Sequence, residues 1–370
     1  MGGDFATLLA VDSADGKTYD DLFPAIERKG RSTIKFSVGY INNRGDQVIE
    51  PQFEEADWFF DGLAVAQTGG RWGLIDTQGH WAVAPEWTLA DRFSSGLAQV
   101  SRRSGRRSEE LFVDARGRIA VEGIVGFPLG FDEGLCVVRT EDASSCSLIN
   151  SKGERLHGEF EHLGPIVDGL VNARKEGLRG YFDVVGGDWR IPPQFDCEHV
   201  GAFQEGLARA GRDGKYGFID LDGNFIIDPI YESVRDFSEG LAAFGTNEHC
   251  YGYLDRNGST KFRLKNAWYC SAFSEGLVEV RIEEPKGETK AGFMNPDGEF
   301  IIPPQFESTT PFRNGLSLVG KDWDTGYIDQ QGEYVWKGKY VRCGLWYNQP
   351  YHSYPCDEDR RGAQTSTETG

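Results

Sequence analysis

No apolar stretch in this 370-residue chain approaches the ~20 residues of a membrane-spanning helix, and its mean hydropathy is −0.46. Cationic surplus is also missing. Lys and Arg number 39 against 58 Asp and Glu, a net charge of −19. General nucleic-acid binding and anionic-membrane binding both need cationic surface, so neither partner is expected. The N-terminus, Met1-Gly2-Gly3-Asp4-Phe5, has no basic segment followed by a long apolar one. A secretory leader is therefore not expected, and the chain reads as cytoplasmic. No Cys-x-x-Cys pair supports a zinc site. The seven cysteines are odd in number and loosely spaced, which reads as reduced thiols. Cys343 and Cys356 bracket an aromatic tail and could bridge. No metal or cofactor is expected. The histidines His80, His157, His162, His199, His249 and His352 form no metal motif, and no P-loop, Rossmann or nucleophile-elbow pattern occurs. Helical periodicity is almost absent.

Glycine, by contrast, is abundant, at 48 residues, and has no period of three. The excess comes from repetition. Asp or Asn is followed three residues later by Gly at Asn42, Asp76, Asp114, Asn150, Asp183, Asp220, Asp255, Asn295 and Asp329. Successive spacings of 34, 38, 36, 33, 37, 35, 40 and 34 define a repeat. A second signal interleaves with the first: aromatic, two residues, then Gly-Leu, ending at Leu63, Leu97, Leu135, Leu207, Leu241, Leu277 and Leu316. Ile166 replaces the aromatic in the copy ending at Leu170. A third pairs Pro with an aromatic two residues on, as in Pro51/Phe53, Pro85/Trp87 and Pro304/Phe306.

Each signal has a mechanical reading. The Asp side chain can accept a backbone N–H two residues on, and the glycine can take positive φ, which a hairpin with a bulge requires. Pro cannot donate to a ladder and so ends a strand or lies on an edge. Gly73, Gly180, Gly217, Gly252, Gly292 and Gly326 share one position inside a strand. Glycine weakens a strand, so a backbone or an aromatic ring is expected to cover that point. Leu111 and Ser147 break this rule, which marks 101–170 as the degenerate part of the array.

These residues resemble the WG-containing repeat family, also called KWG repeats. Arg71-Trp72-Gly73-Leu74-Ile75-Asp76 and Lys215-Tyr216-Gly217-Phe218-Ile219-Asp220 carry the resemblance best, and it extends over residues 35–336. It implies a bacterial-type interaction scaffold and supplies no catalytic residues.

The expected fold is all-β, with tandem units of about 36 residues that must stack or close to bury their apolar faces. Pairing the two partial ends gives a β-propeller of about eight blades. Counting nine hairpins instead suits an open superhelical β-array. Residues 1–34 read as a degenerate first unit or extension, 35–336 as the array, 337–356 as an aromatic cap and 357–370 as a disordered tail.

One polar feature repeats. The residue before Gly-Leu is acidic at Asp61, Glu133, Asp168, Glu205, Glu239 and Glu275. Repeat equivalence puts these on one rim, which could dock a basic protein partner; alternatively, they are charges tolerated in exposed turns. The basic run Arg102–Arg107 reads as a hairpin loop or a contact for an acidic partner. Asn257 heads a formal glycosylation sequon, read here as a turn. The expected function is a non-enzymatic protein-binding scaffold. Alternatives are a ligand-binding or sensor/immunity-type propeller acting with a neighbouring effector, or an enzyme with a site in the central channel. A pocket requires one repeat to carry polar residues its siblings lack, and only 101–170 departs enough to allow it.

Overall fold

The computed structural model describes residues 22–29, 35–104, 107–197, 200–246, 249–283, 287–322 and 324–338. They contain no helix. They form nine small antiparallel sheets, each built from contiguous chain and with its strands in sequence order. Blade 2 sets the pattern, with strands Glu55–Ala56, Leu63–Thr68, Arg71–Asp76 and Trp81–Trp87. Blade 1 (Phe23–Lys29, Lys35–Ile41, Gln47–Phe53) shows three strands, equivalent to the second, third and fourth of blade 2. Blades 3 to 9 span 89–121, 127–150, 162–195, 208–231, 233–263, 267–306 and 308–338.

The hairpins follow the expected chemistry. Asp76 Oδ1 accepts the backbone N–H groups of Gln78 (3.0 Å) and His80 (2.9 Å). Gly79 takes φ +80°. Asn42, Asp114, Asn150, Asp220, Asp255, Asn295 and Asp329 repeat the arrangement. Blade 5 departs from it. Its turn is one residue longer, and the left-handed position falls on Gly187 (φ +73°) rather than on Gly186.

The strand glycines are covered by backbone. A Cβ on Gly73 would collide with the Val83 carbonyl and lie 2.9 Å from Pro85 N. The fourth strand crosses there with a register shift between Trp72–Trp87 and Leu74–Val83. Pro85 sits inside that irregularity, where a missing N–H costs no ladder bond.

Blades pack face to face through a repeated aromatic pair. The third-strand residue two positions before the turn Asp or Asn meets the Phe of the next blade's Phe-x-x-Gly-Leu. Ring centroids are 4.8 Å apart for Tyr40–Phe59, 4.6 Å for Phe112–Phe131, 4.6 Å for Tyr181–Phe203, 4.5 Å for Phe218–Phe237 and 4.7 Å for Phe293–Phe312. Such pairs contribute about 0.5–1.5 kcal/mol beyond the area they bury. Where the motif has Ile166, its cluster supplies Leu148 instead of an aromatic partner. Both sides of that junction are aliphatic.

The ring closes, and it has nine blades where pairing of the chain ends predicts eight. Each blade's hairpin glycine packs on the fourth strand, or the segment replacing it, of the blade before. Gly79 faces Ile49, Gly117 faces Val83, Gly258 faces Ile227 and Gly332 faces Ile302. Gly45 of blade 1 faces Val335 of blade 9, so the same contact joins the ends. Blade 1 completes three strands from its own chain, beginning at Phe23, and has no need to merge with the C-terminal unit.

The reading of all thiols as reduced is corrected at one pair. Cys250, in the third strand of blade 7, is disulfide-bonded to Cys270, in the first strand of blade 8, with Cα atoms 6.1 Å apart. The 20-residue separation hides this, because it spans the junction between two blades. Cys136, Cys146 and Cys197 are free and buried. Cys343, Cys356, the aromatic cap and the polar tail lie outside the described residues.

Candidate functional site

The Gly-Leu signal forms a two-residue hairpin loop. Phe60 and Leu63 exchange backbone hydrogen bonds at 2.9 and 3.0 Å, and both central residues have positive φ, Asp61 +49° and Gly62 +76°. This is the type I′ turn, whose twist suits a hairpin. Asp61, Glu133, Asp168, Glu205, Glu239 and Glu275 all occupy its first central position, with φ between 48° and 54°, and all are exposed. Gln330 Nε2 in the Asp-x-x-Gly hairpin of blade 9 donates to the Glu275 carbonyl at 2.9 Å. Both turn types therefore lie at one end of the ring.

Sequence reasoning missed what these carboxylates touch. Glu133 accepts the backbone N–H groups of Asp168 and Gly169 in the next blade's turn, both at 2.9 Å. Glu275 accepts those of Asn314 (2.5 Å) and Gly315 (2.8 Å). Glu205 reaches Gly240 N at 3.1 Å, and Glu239 reaches Gly276 N at 2.9 Å. Ser95 Oγ accepts from Gly134 N at 3.2 Å, keeping the pattern without the charge. Arg256 adds an ion pair to Glu205 at 3.1 Å. The acidic position is thus a latch between consecutive turns as well as a charged rim. A carboxylate has about four lone-pair sites, so one or two amide bonds leave acceptor capacity facing solvent.

A second polar group sits beside this rim. Asp57, just after the first strand of blade 2, receives the Tyr40 hydroxyl on its carbonyl at 2.6 Å. Burial pushes its carboxyl up, with Asp91 adding to the rise and Arg92 and Arg313 opposing it. Arg313 stacks over Trp58 (5.2 Å) and Phe60 (5.3 Å), and Arg92 over Phe60 (5.5 Å). Blade 7 holds a comparable acid. Burial raises the Asp236 carboxyl, and Arg209, with Nε 3.7 Å from Oδ1, opposes the rise.

The degenerate region holds a cavity of about 640 Å³ between blades 4 and 5. Arg139, His162, Arg174 and Arg179 line it, with Glu161 and Asp196. A signal for it was present in the sequence. Arg179 stands before the strand glycine, where other repeats have Val38, Trp72, Tyr216, Tyr251, Ala291 or Thr325. In the basic run, Arg102 is paired with Glu109 at 2.8 Å and Glu122 at 3.5 Å. No group of three or more metal-ligating side chains occurs among the described residues. No helix long and apolar enough to cross a membrane occurs among the described residues.

Nine contiguous sheets, one repeated turn latch and a closed ring define a repeat β-propeller scaffold. The chain carries stretches that match the WG-containing repeat family. The family model matches residues 39–72, 72–103, 180–216, 216–248 and 292–322. The long unmatched interval between the second and third matches takes in blade 4. Among solved structures, BamB from Moraxella catarrhalis is similar at 13% identity, with 84% of this chain and 92% of that chain covered and a TM-score of 0.37. The dihydro-heme d1 dehydrogenase NirN, in complex with DHE, is similar at 11% identity, with 85% and 76% covered and a TM-score of 0.44. Kluyveromyces lactis Hsv2p is similar at 11% identity, with 54% and 72% covered and a TM-score of 0.38. No curated protein matches the chain in sequence.

Proposed function

We propose that this propeller is a non-enzymatic protein-interaction scaffold whose turn-bearing end docks a basic segment of a partner. The observation that carries this reading is the recurrence of an exposed carboxylate at one turn position in six blades, Asp61 through Glu275. Charges at equivalent positions add over a common surface and steer a cationic partner. The amide latches support the reading further. They fix the direction of Glu133, Glu205, Glu239 and Glu275 before a partner arrives, so less side-chain entropy is lost on docking.

The test separates charge from latch. Glu205→Gln, Glu239→Gln and Glu275→Gln together keep a carbonyl acceptor for the neighbouring amides and remove the charge. In affinity capture from the native host with mass spectrometry, the parent chain should retain a stoichiometric protein with a basic contact segment, and the triple variant should lose it. Equal recovery of that protein by both chains contradicts the acidic rim as its docking surface.

A further inference from the structure

We propose that the cavity between blades 4 and 5 binds a small molecule through an oxyanion group, a phosphate or a carboxylate. The first observation is a departure from the repeat. Blades 2, 6 and 7 place Trp72, Tyr216 and Tyr251 before the strand glycine, blades 1, 8 and 9 place Val38, Ala291 and Thr325, and blade 5 places a basic residue, Arg179. Arg179 is 9% exposed. A buried guanidinium carries a desolvation cost that an aromatic ring at this position does not.

The second observation is convergence. Arg179 Nη1 lies 3.2 Å from His162 Nδ1. A guanidinium only donates, so this imidazole nitrogen accepts and the proton resides on Nε2. Arg174 is held at the cavity wall by Glu161 (3.5 Å) and by the Gly177 carbonyl (3.3 Å). The Glu161 carboxylate is itself held by Gly177 N at 3.2 Å. Arg139, half-buried on the opposite wall, makes no side-chain hydrogen bond or ion pair among the described residues. Three guanidinium groups from two blades therefore face one space, and one of them has its full set of donors unspent. The volume suits a small ligand, and forked guanidinium donors match the planar or tetrahedral oxygens of carboxylate and phosphate.

The third observation is a loosened edge beside this space, where Cys146 and Glu161 line it. The fourth strand of blade 4 is reduced to two isolated bridges, Ile149–Arg155 and Cys146–Phe160. Phe160 keeps the aromatic place opposite Cys146, as Trp87 does opposite Trp72, but Gly158 stands where blade 2 has Pro85.

The experiment titrates the full chain with inorganic phosphate and, separately, with succinate, by calorimetry at low ionic strength. Arg139→Gln is the diagnostic variant, because its side chain makes no hydrogen bond or ion pair among the described residues and its loss should leave the unfolding midpoint unchanged. Arg71→Gln, an exposed arginine of blade 2, is the control. Saturable binding of either probe that weakens at least about tenfold in Arg139→Gln and persists in Arg71→Gln supports the site. Preference for phosphate or for succinate then assigns the source of the oxyanion. Failure of both probes to saturate at millimolar concentration, or binding indifferent to Arg139→Gln, overturns the proposal.

Discussion

The Tyr327 hydroxyl donates to the Pro24 carbonyl at 3.0 Å, across 303 positions of sequence. Both residues are buried, and the Phe23 ring lies edge-on to Tyr327 at 5.3 Å. The same third-strand position supplies Tyr40 to Asp57, Tyr181 to Gly201 and Tyr253 to Ser271. The closing junction is therefore made like the internal ones.

Closure sets the expected cost of losing that hydroxyl. Tyr327→Phe leaves the buried Pro24 carbonyl without this donor and should cost roughly 1–3 kcal/mol. Tyr181→Phe should cost a similar amount. Urea unfolding of both variants checks this. A neutral Tyr327→Phe beside a costly Tyr181→Phe would mean that the ends do not meet.

Two glycines separate steric cover from backbone strain. Gly73→Ala places a methyl against the Val83–Pro85 backbone and should destabilise by the upper part of ~1–3 kcal/mol, or more. Gly62 has open space around its Cβ position but φ +76°, so Gly62→Ala should cost about 1–2 kcal/mol from conformation alone. Chemical denaturation with unchanged m-values measures the difference.

The Cys250–Cys270 bond links blades 7 and 8. Closing a loop of this size contributes roughly 3 kcal/mol in the chain-entropy model. Thiol titration of the unfolded, unreduced chain should find two fewer reactive cysteines than after reduction, and the Cys250→Ser, Cys270→Ser double variant should melt lower. Equal thiol counts before and after reduction would contradict the pairing.

Acid response should carry two opposite signs. Backbone N–H donors lower the turn carboxyls Asp183 and Asp220, so their stabilisation is present above the ordinary carboxylate range and is lost as pH falls through their folded values. Asp236 is raised by burial, so the folded state holds its proton more tightly than the unfolded chain. Its contribution is greatest below the ordinary carboxylate range and declines as pH rises through the folded value. Subtracting the stability of Asp236→Asn from that of the parent chain between about pH 3 and 6 should give a difference that falls with rising pH. A flat difference would show that Asp236 is not shifted.

Much of this fold is legible in the sequence because its rules are local. Asp76 and Gly79 specify a hairpin within five residues, and Gly73 announces that something crosses it. The blade count is less legible. It depends on contacts such as Gly45–Val335 and Tyr327–Pro24, which join ends whose motifs are weak. The acidic rim is visible as a pattern, but its latches are not, because Glu133 meets Asp168 and Gly169 only through blade stacking. The Cys250–Cys270 pair is hidden for the same reason. Arg179 was readable as a deviation, a basic residue where the other glycine-bearing strands have aromatic or small uncharged ones. Its convergence with Arg139 needs two adjacent blades in place.

The central claim is a closed nine-bladed ring, and small-angle X-ray scattering of the monomer tests it most directly. A compact chain of this length should show a radius of gyration near 2.2·N^0.38, about 21 Å, with a single-peaked pair-distance distribution. A markedly larger radius, with a distribution skewed to long distances, would mean an open array and would contradict the ring.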